Sequence, residues 1–150
     1  GGYSHRDLGS NHRMTSIGAA IGRVQLERLP EWIDARRENA AALTDALSSV
    51  RGVIPPVEPD GSEHAYHQYT VRCTDRAALA AHLEDAGVGS GVYYPTIIPD
   101  LEAYDGYDVD VPVARAASEQ VLSLPVHPSL SAEDVDRVVN ALRTVDVEAR

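Results

Sequence analysis

Three short segments hold the residues whose side chains can do chemistry. The first, GSNHRM over Gly9 to Met14, sets an amide and a guanidinium just ahead of a helix start. Free amides and the helix dipole favour an anion there, and Arg13 carries a planar fork of donors that matches phosphate or carboxylate. Asn11 and Arg13 thus outline a phosphate site; the alternative is a turn asparagine beside a surface ion pair. The second segment, GVYYP over Gly91 to Pro95, puts Tyr93 and Tyr94 at a strand end, projecting to opposite sides so that one can face a cleft. Core packing with an exposed hydroxyl is the competing account. The third, LSLPVHP over Leu122 to Pro128, ends a buried strand in His127 held between prolines, either a polar contact at a pocket rim or a turn histidine bonded to backbone.

Other groupings fail on spacing. His64 and His67 lie three apart at the start of a strand and face opposite sides, so they read as hydrogen-bonded residues rather than a chelating pair. Asp105, Asp108 and Asp110 miss the calcium-loop pattern and read as a solvated acidic loop. No nucleophile elbow, phosphate-binding G-x-x-x-x-G-K or dinucleotide G-x-G-x-x-G occurs.

The elements that must position these segments alternate between helix and strand. Thr15 or Ser16 caps a helix whose apolar residues, Ile17, Ala20, Ile21, Val24, Leu26 and Leu29, keep helical spacing. Pro30 lacks an amide donor and crowds the preceding turn, which predicts a break or kink there and a second helix from Glu31 to Leu47. A proline-rich connector, Pro55 to Gly61, leads to an alternating strand, Ala65 to Cys73, with Tyr69, Val71 and Cys73 on one face. Asp75 caps a helix that Gly87 stops. A short strand follows at Ser90 to Tyr94, then an irregular acidic stretch, a helix from Val113 to Gln120 and a strand from Val121 to Leu124. Ser131 and Asp134 have capping-box spacing ahead of a last helix with an apolar face of Val135, Val138, Val139 and Leu142. The sum is a small α/β sandwich: a three-stranded, mainly antiparallel sheet with helices on one side, behind a long kinked helix pair.

Composition narrows the partners. The net charge of −10 repels nucleic-acid backbones, and no apolar run is long enough to span a bilayer or act as a signal peptide, which predicts a cytoplasmic protein with no membrane partner. A chain of 150 residues supports one core. Cys73 is the single cysteine and reads as a small buried hydrophobe. All 13 basic residues are arginine, so the chain holds no lysine; with its acid excess and lack of phenylalanine, this points to a salt-adapted (halophilic) or GC-rich source.

In order along the chain, LGSNHRM, AAIGRVQLERLPEW with the paired arginines Arg36 and Arg37, HAYHQYTVR, GVGSGVYYP and SLPVHPSLSAEDVDRVV resemble the DegT/StrS sugar aminotransferases, fold-type I pyridoxal phosphate enzymes. The resemblance covers nearly the whole chain and implies that it is the small C-terminal domain with the helices that enter it. It further implies an enzyme that moves an amino group from an amino acid, usually glutamate, to a nucleotide-linked keto-sugar, working as a dimer. Asn11 and Arg13 would reach the cofactor phosphate across the dimer interface, and Tyr93, Tyr94 and His127 would lie on the sugar-nucleotide side of the cleft. Two departures fall near that side: Pro99 stands where family members often carry histidine, and Ile97 where proline is common.

Transamination needs a lysine to anchor the cofactor and shuttle a proton. The chain has none, so the resemblance implies that the lysine-bearing large domain is missing here and that the isolated chain is inactive. The other reading is a non-catalytic interaction or small-molecule-binding module that kept the fold; a gene remnant is a third. On the first reading the leading helices expose an apolar patch where a missing large domain or partner subunit would pack.

Overall fold

Alternation along the central strand sets the architecture. In the computed structural model, which describes residues 12–106 and 109–145, Tyr69, Val71 and Cys73 of β2 (Tyr69–Cys73) are all buried, while Thr70 and Arg72 face the other way. On one side β2 pairs antiparallel with β1 (Val53–Ile54), Val53 opposite Cys73. On the other it pairs antiparallel with β3 (Val121–Leu124), Tyr69 opposite Leu124 and Thr70 opposite Ser123. The sheet is therefore three-stranded, in the order β1-β2-β3.

The core lies on the face that carries Tyr69, Val71 and Leu122. Against it pack Leu43 and Leu47 from the end of α1 (Ser16–Leu47), Leu79 and Leu83 from α2 (Arg76–Asp85), and Val138 and Leu142 from α4 (Ala132–Thr144). The caps predicted for α2 and α4 are present. The Asp75 carboxylate accepts from the Ala78 amide at 3.1 Å. In α4 the Ser131 hydroxyl accepts from the Asp134 amide at 3.2 Å while the Asp134 carboxylate accepts from the Ser131 amide at 3.0 Å. Gly87 ends α2 at φ +73, a left-handed conformation open to a residue without Cβ. Burial pushes the Cys73 thiol up, away from the reactive thiolate, in line with its reading as a packing residue.

Three local expectations are corrected. The helix pair around Pro30 is one helix of 32 residues with the proline inside it. A proline removes one donor and costs about 3 kcal/mol, but Leu26, whose carbonyl loses its partner, and Pro30 are both exposed, so water can serve that carbonyl. Burial of Ala40, Leu43, Ala46 and Leu47 farther along offsets the rest. The strand predicted from Ala65 begins only at Tyr69, because Tyr66 sits at φ +43 and the carbonyls before it bond to arginines. The strand predicted at Ser90 to Tyr94 contributes a single bridge, Gly91 to Ser123, since Tyr94 adopts φ +58 and Pro95 has no amide hydrogen.

The chain divides into two compact units, Gly1–Glu31 and Trp32–Arg150. The first exposes an apolar row, Met14, Ile17, Ile21 and Val24, each more than half accessible, as expected for a surface that lacks its covering. The second holds the core and the cavities described next. Among the described residues no helix is long and apolar enough to cross a membrane.

Candidate functional site

The site is built on the segment entering β2, which the paired arginines of α1 hold in place. Arg36 donates from Nη1 to the carbonyls of Tyr66 and His67, at 3.0 and 3.1 Å. Arg37 donates to the carbonyl of His64 at 2.9 Å and to Glu58 Oε1 at 3.1 Å. Glu58 also accepts from the His64 amide at 3.0 Å and from the Tyr66 hydroxyl at 3.3 Å, so one carboxylate ties together the connector, the strand entry and the helix. The clamp surrounds Tyr66, which sits in a left-handed conformation that an aromatic residue rarely adopts, and leads the chain into His67 and Gln68, which line a cavity. His64, meanwhile, accepts the Tyr66 amide on Nδ1 at 2.9 Å, a hydrogen-bonding role rather than a chelating one.

The His64 amide, joined by Arg37, holds the Glu58 carboxyl below its usual range. A depressed folded-state pKa means that the clamp's contribution is present above the unfolded carboxyl value, about 4.3, and is lost as pH falls through the lower folded value. Glu58→Gln is accordingly expected to flatten the acid limb of the stability profile below about pH 4.3, read as melting temperature against pH. An unchanged acid slope would show that the clamp carries none of it.

On the other side of β2, Gly91 and Ser123 exchange two backbone hydrogen bonds, 3.0 and 2.8 Å, which draws the Gly89 to Tyr93 segment alongside β3. A Cβ at Gly91 would stand 3.1 Å from the Tyr93 ring, so the close approach of that ring depends on glycine here. After β3 the chain turns through Pro125 to Pro128, and the carbonyl of His127 accepts from Asn39 Nδ2 at 3.2 Å and from the Leu130 amide at 3.2 Å. The His127 imidazole stays exposed.

These segments enclose two adjoining cavities. One, of about 320 Å³, is polar, with Arg36, His67, Ser90, Tyr93 and His127 on its walls. Among the described residues only Nη1 of the Arg36 guanidinium is engaged, so its remaining N–H groups, the two imidazoles and the Tyr93 hydroxyl can meet oxygen atoms of an anionic or hydroxyl-rich ligand. The second cavity, of about 630 Å³, shares Gln68, Tyr93 and Ser123 with the first and is otherwise mostly apolar. Its far wall is α3 (Pro112–Gln120) with the short 3₁₀ turn Ile98–Asp100 and Leu101 after it. Arg115 grips Asp100 with two hydrogen bonds, 2.5 and 3.0 Å, and so fixes that turn against α3.

The structure thus brings Tyr93 and His127 together on the polar cavity and places Tyr94 on the apolar one. Tyr93 and Tyr94 do not alternate as strand residues, because the left-handed Tyr94 turns the chain between them and Pro95. Arg13 is exposed just ahead of α1, and Asn11 lies outside the described residues. Sequence reasoning did not assign Arg36, His67, Gln68 or Ser90 to the site. The adjacent arginines were the visible signal for Arg36; nothing local marks the others, which reach the cavity through the register of β2 and the Gly91 bridge.

Comparison with known proteins bears on what such a site serves. Residues 1–143 match the DegT/DnrJ/EryC1/StrS aminotransferase family. A protein of Geobacillus stearothermophilus described as a pleiotropic regulatory protein is 36% identical over 145 residues, covering 93% of this chain and 39% of that protein. The dTDP-3-amino-3,4,6-trideoxy-alpha-D-glucose transaminase of Streptomyces venezuelae is 33% identical, covering 94% of this chain and 38% of that protein. A DegT DnrJ EryC1 StrS aminotransferase from Brucella abortus, known from its crystal structure, superposes with a TM-score of 0.83 at 32% identity, over 95% of this chain and 39% of that one. The chain spans about two fifths of the length of these relatives. Sequence and backbone both match along almost the whole of it, and the chain belongs to the DegT/DnrJ/EryC1/StrS aminotransferase family.

Proposed function

We propose that these residues form the substrate-side wall of a pyridoxal-phosphate-dependent sugar aminotransferase, which moves an amino group from an amino acid, glutamate being the expected donor, to a nucleotide-linked keto-sugar. The observation that carries this reading is the polar cavity that gathers Arg36, Tyr93 and His127, in a chain of this family. The related Streptomyces venezuelae transaminase has a dTDP-linked aminosugar in its name, which supports a nucleotide-sugar ligand.

Roles follow from the groups available. Arg36 and the exposed imidazole of His127 bind oxygens of the sugar nucleotide, and the Tyr93 hydroxyl orients the sugar between the two cavities. Tyr94 closes the apolar side. Arg13, with Asn11, binds the cofactor phosphate of a second subunit in a homodimer. The side chain is suited to that: Thr15 Oγ1 accepts from the Gly18 amide at 3.1 Å and so closes the first turn of α1, which leaves the exposed Arg13 fork outside the helix cap.

The cofactor fits these residues only in part. They offer cationic and hydrogen-bonding groups for its phosphate but no lysine, so its covalent anchor belongs to a part of the enzyme outside these 150 residues. When bound, pyridoxal phosphate supplies the electron sink that lets the donor's α-proton leave.

The test is amino transfer by the full-length enzyme that contains this segment, with glutamate and nucleotide-linked keto-sugars, followed by product mass. Turnover is expected; failure with every such sugar removes the reading. In the same enzyme, Arg13→Ala should weaken cofactor binding by about 1.5–3 kcal/mol, the usual worth of a hydrogen bond to a charged group. Unchanged affinity removes Arg13 from the cofactor.

A further inference from the structure

Arg36 and Arg37 are neighbours on α1, about 100° apart around the helix, and they serve different places. Arg36 stands on the wall of the polar cavity. Arg37 stands on a separate groove with Glu58, Tyr66 and Thr44, and neither Arg37 nor Glu58 is on the walls of the two cavities. Any influence of that second cluster on a ligand in the cavities therefore runs through other residues.

The connecting residue is Tyr66. Its amide donates to His64 Nδ1 at 2.9 Å, its hydroxyl to Glu58 Oε2 at 3.3 Å, and its carbonyl accepts from Arg36 Nη1 at 3.0 Å, so all three of its polar groups are bonded. Its ring also lies 4.4 Å from that of His64. At φ +43 it has a backbone that a bulky residue holds only where its surroundings over-determine it. The bend is followed at once by a second carbonyl, that of His67, on the same Arg36 nitrogen at 3.1 Å. Resting on the reading that sets Arg36 against the sugar nucleotide, we infer that Glu58 is a positioning residue. With Arg37 it fixes the bend at Tyr66 that turns two carbonyls onto Arg36, and so aims the Nε and Nη2 edge of that guanidinium at the ligand.

Removal of the carboxylate releases the Tyr66 hydroxyl, the His64 amide and the Arg37 guanidinium together. Tyr66 then relaxes toward negative φ, which draws its carbonyl and that of His67 off Arg36. The guanidinium remains but loses its aim, and a planar fork that meets oxygens in a fixed geometry is sensitive to aim. A tie that only stabilised the fold would instead lower the melting temperature and weaken both substrates alike.

The experiment is steady-state kinetics of the full-length enzyme, with glutamate and a nucleotide-linked keto-sugar that it turns over, on wild type, Glu58→Ala, Arg36→Ala and the double variant. Arg36→Ala is expected to raise KM for the sugar nucleotide roughly 10- to 100-fold, as for loss of a charge-assisted contact. Glu58→Ala misplaces that group rather than removing it, and should raise the same KM roughly tenfold, with kcat and KM for glutamate within about twofold of wild type. Added to Arg36→Ala, it should change the sugar KM less than about twofold, because the group it positions is gone. Glu58→Gln keeps an oxygen for the His64 amide and should give a smaller rise, roughly threefold; it replaces the alanine variant throughout if that one does not fold. An unchanged sugar KM in the Glu58 variant, equal losses for both substrates, or a Glu58 effect undiminished without Arg36 overturns the positioning role and leaves the aminotransferase reading intact. An unchanged sugar KM in Arg36→Ala overturns it together with the place given to Arg36. If wild type turns over no such sugar, both the positioning role and the aminotransferase reading fall.

Discussion

Mixed with pyridoxal phosphate, glutamate and any keto-sugar, the isolated 150-residue segment is expected to produce no aminosugar, while the full-length enzyme does. The chemistry requires a primary amine that holds the cofactor and then carries a proton on and off carbon. Thirteen arginines cannot substitute, because a guanidinium keeps its proton throughout the accessible pH range. Binding would fail as well as chemistry. One charge-assisted phosphate contact through Arg13 contributes about 1.5–3 kcal/mol, less than the roughly 4 kcal/mol that millimolar affinity requires. Titration of the segment with cofactor should therefore show no saturation below about 1 mM, and single-turnover assays should match the rate without protein. Aminosugar formed by the segment alone would show that some other group in these residues serves as the base, and would overturn the division of labour proposed above. Recovery of activity when the segment is combined with the lysine-bearing remainder supports it.

The parts of this fold that were legible in the sequence are those set by near neighbours. Alternation at Tyr69, Val71 and Cys73, the Asp75 and Ser131 caps, the Gly87 stop and the strand at Val121 to Leu124 all depend on residues within a turn of one another, and all are present. The misplaced elements depend on distant partners. β1 is only two residues long and exists because Val53 finds Cys73, a pairing no periodicity can announce. The carbonyls of His64, Tyr66 and His67 are claimed by arginines 27 to 31 residues away, which delays the strand to Tyr69. Pro30 acts locally as a breaker, yet the helix it interrupts is held by burial at Leu43 and Leu47 on a sheet formed later in the chain.

The same division holds for the site. Tyr93 and His127 stood out because glycine and proline bracket them, and the polar cavity contains both. The apolar cavity was not foreseen: Ile97, Ile98 and Leu101 lie in what reads as an irregular acidic stretch, and only the Asp100–Arg115 pair folds that stretch against α3. Ile97 and Pro99, the two departures from the resemblance, both line this cavity, so the place where motif reading was least informative is where the walls are most distinctive.

The second large effect is on stability and centres on Tyr69. Its side chain is wholly buried, its ring lies 6.0 Å from that of Tyr66, and its hydroxyl shares a hydrogen bond of 2.7 Å with Thr44 on α1. Two contributions can be separated by two substitutions. Tyr69→Phe keeps the ring and loses only the bond to the hydroxyl of Thr44, an exposed residue, for an expected cost of about 1 kcal/mol. Tyr69→Ala also empties the space between β2, α1 and β3, and truncation of a buried aromatic costs about 3–5 kcal/mol. At roughly 2–4 °C per kcal/mol for a chain of this size, the alanine variant should melt on the order of 10 °C lower. Urea unfolding of the segment, with the slope checked for constancy, measures both. The site should follow the core here, because Tyr69 pairs with Leu124 next to Ser123, which lines both cavities, and Thr70, which lines the larger one. In the full-length enzyme Tyr69→Ala is therefore expected to raise KM for the sugar nucleotide even below its melting temperature, while Tyr69→Phe leaves it near wild type. A cost under about 1 kcal/mol for Tyr69→Ala would mean that α1 and α4 hold the sheet without this ring, and that the strand carrying the cavity floor is positioned by its flanks.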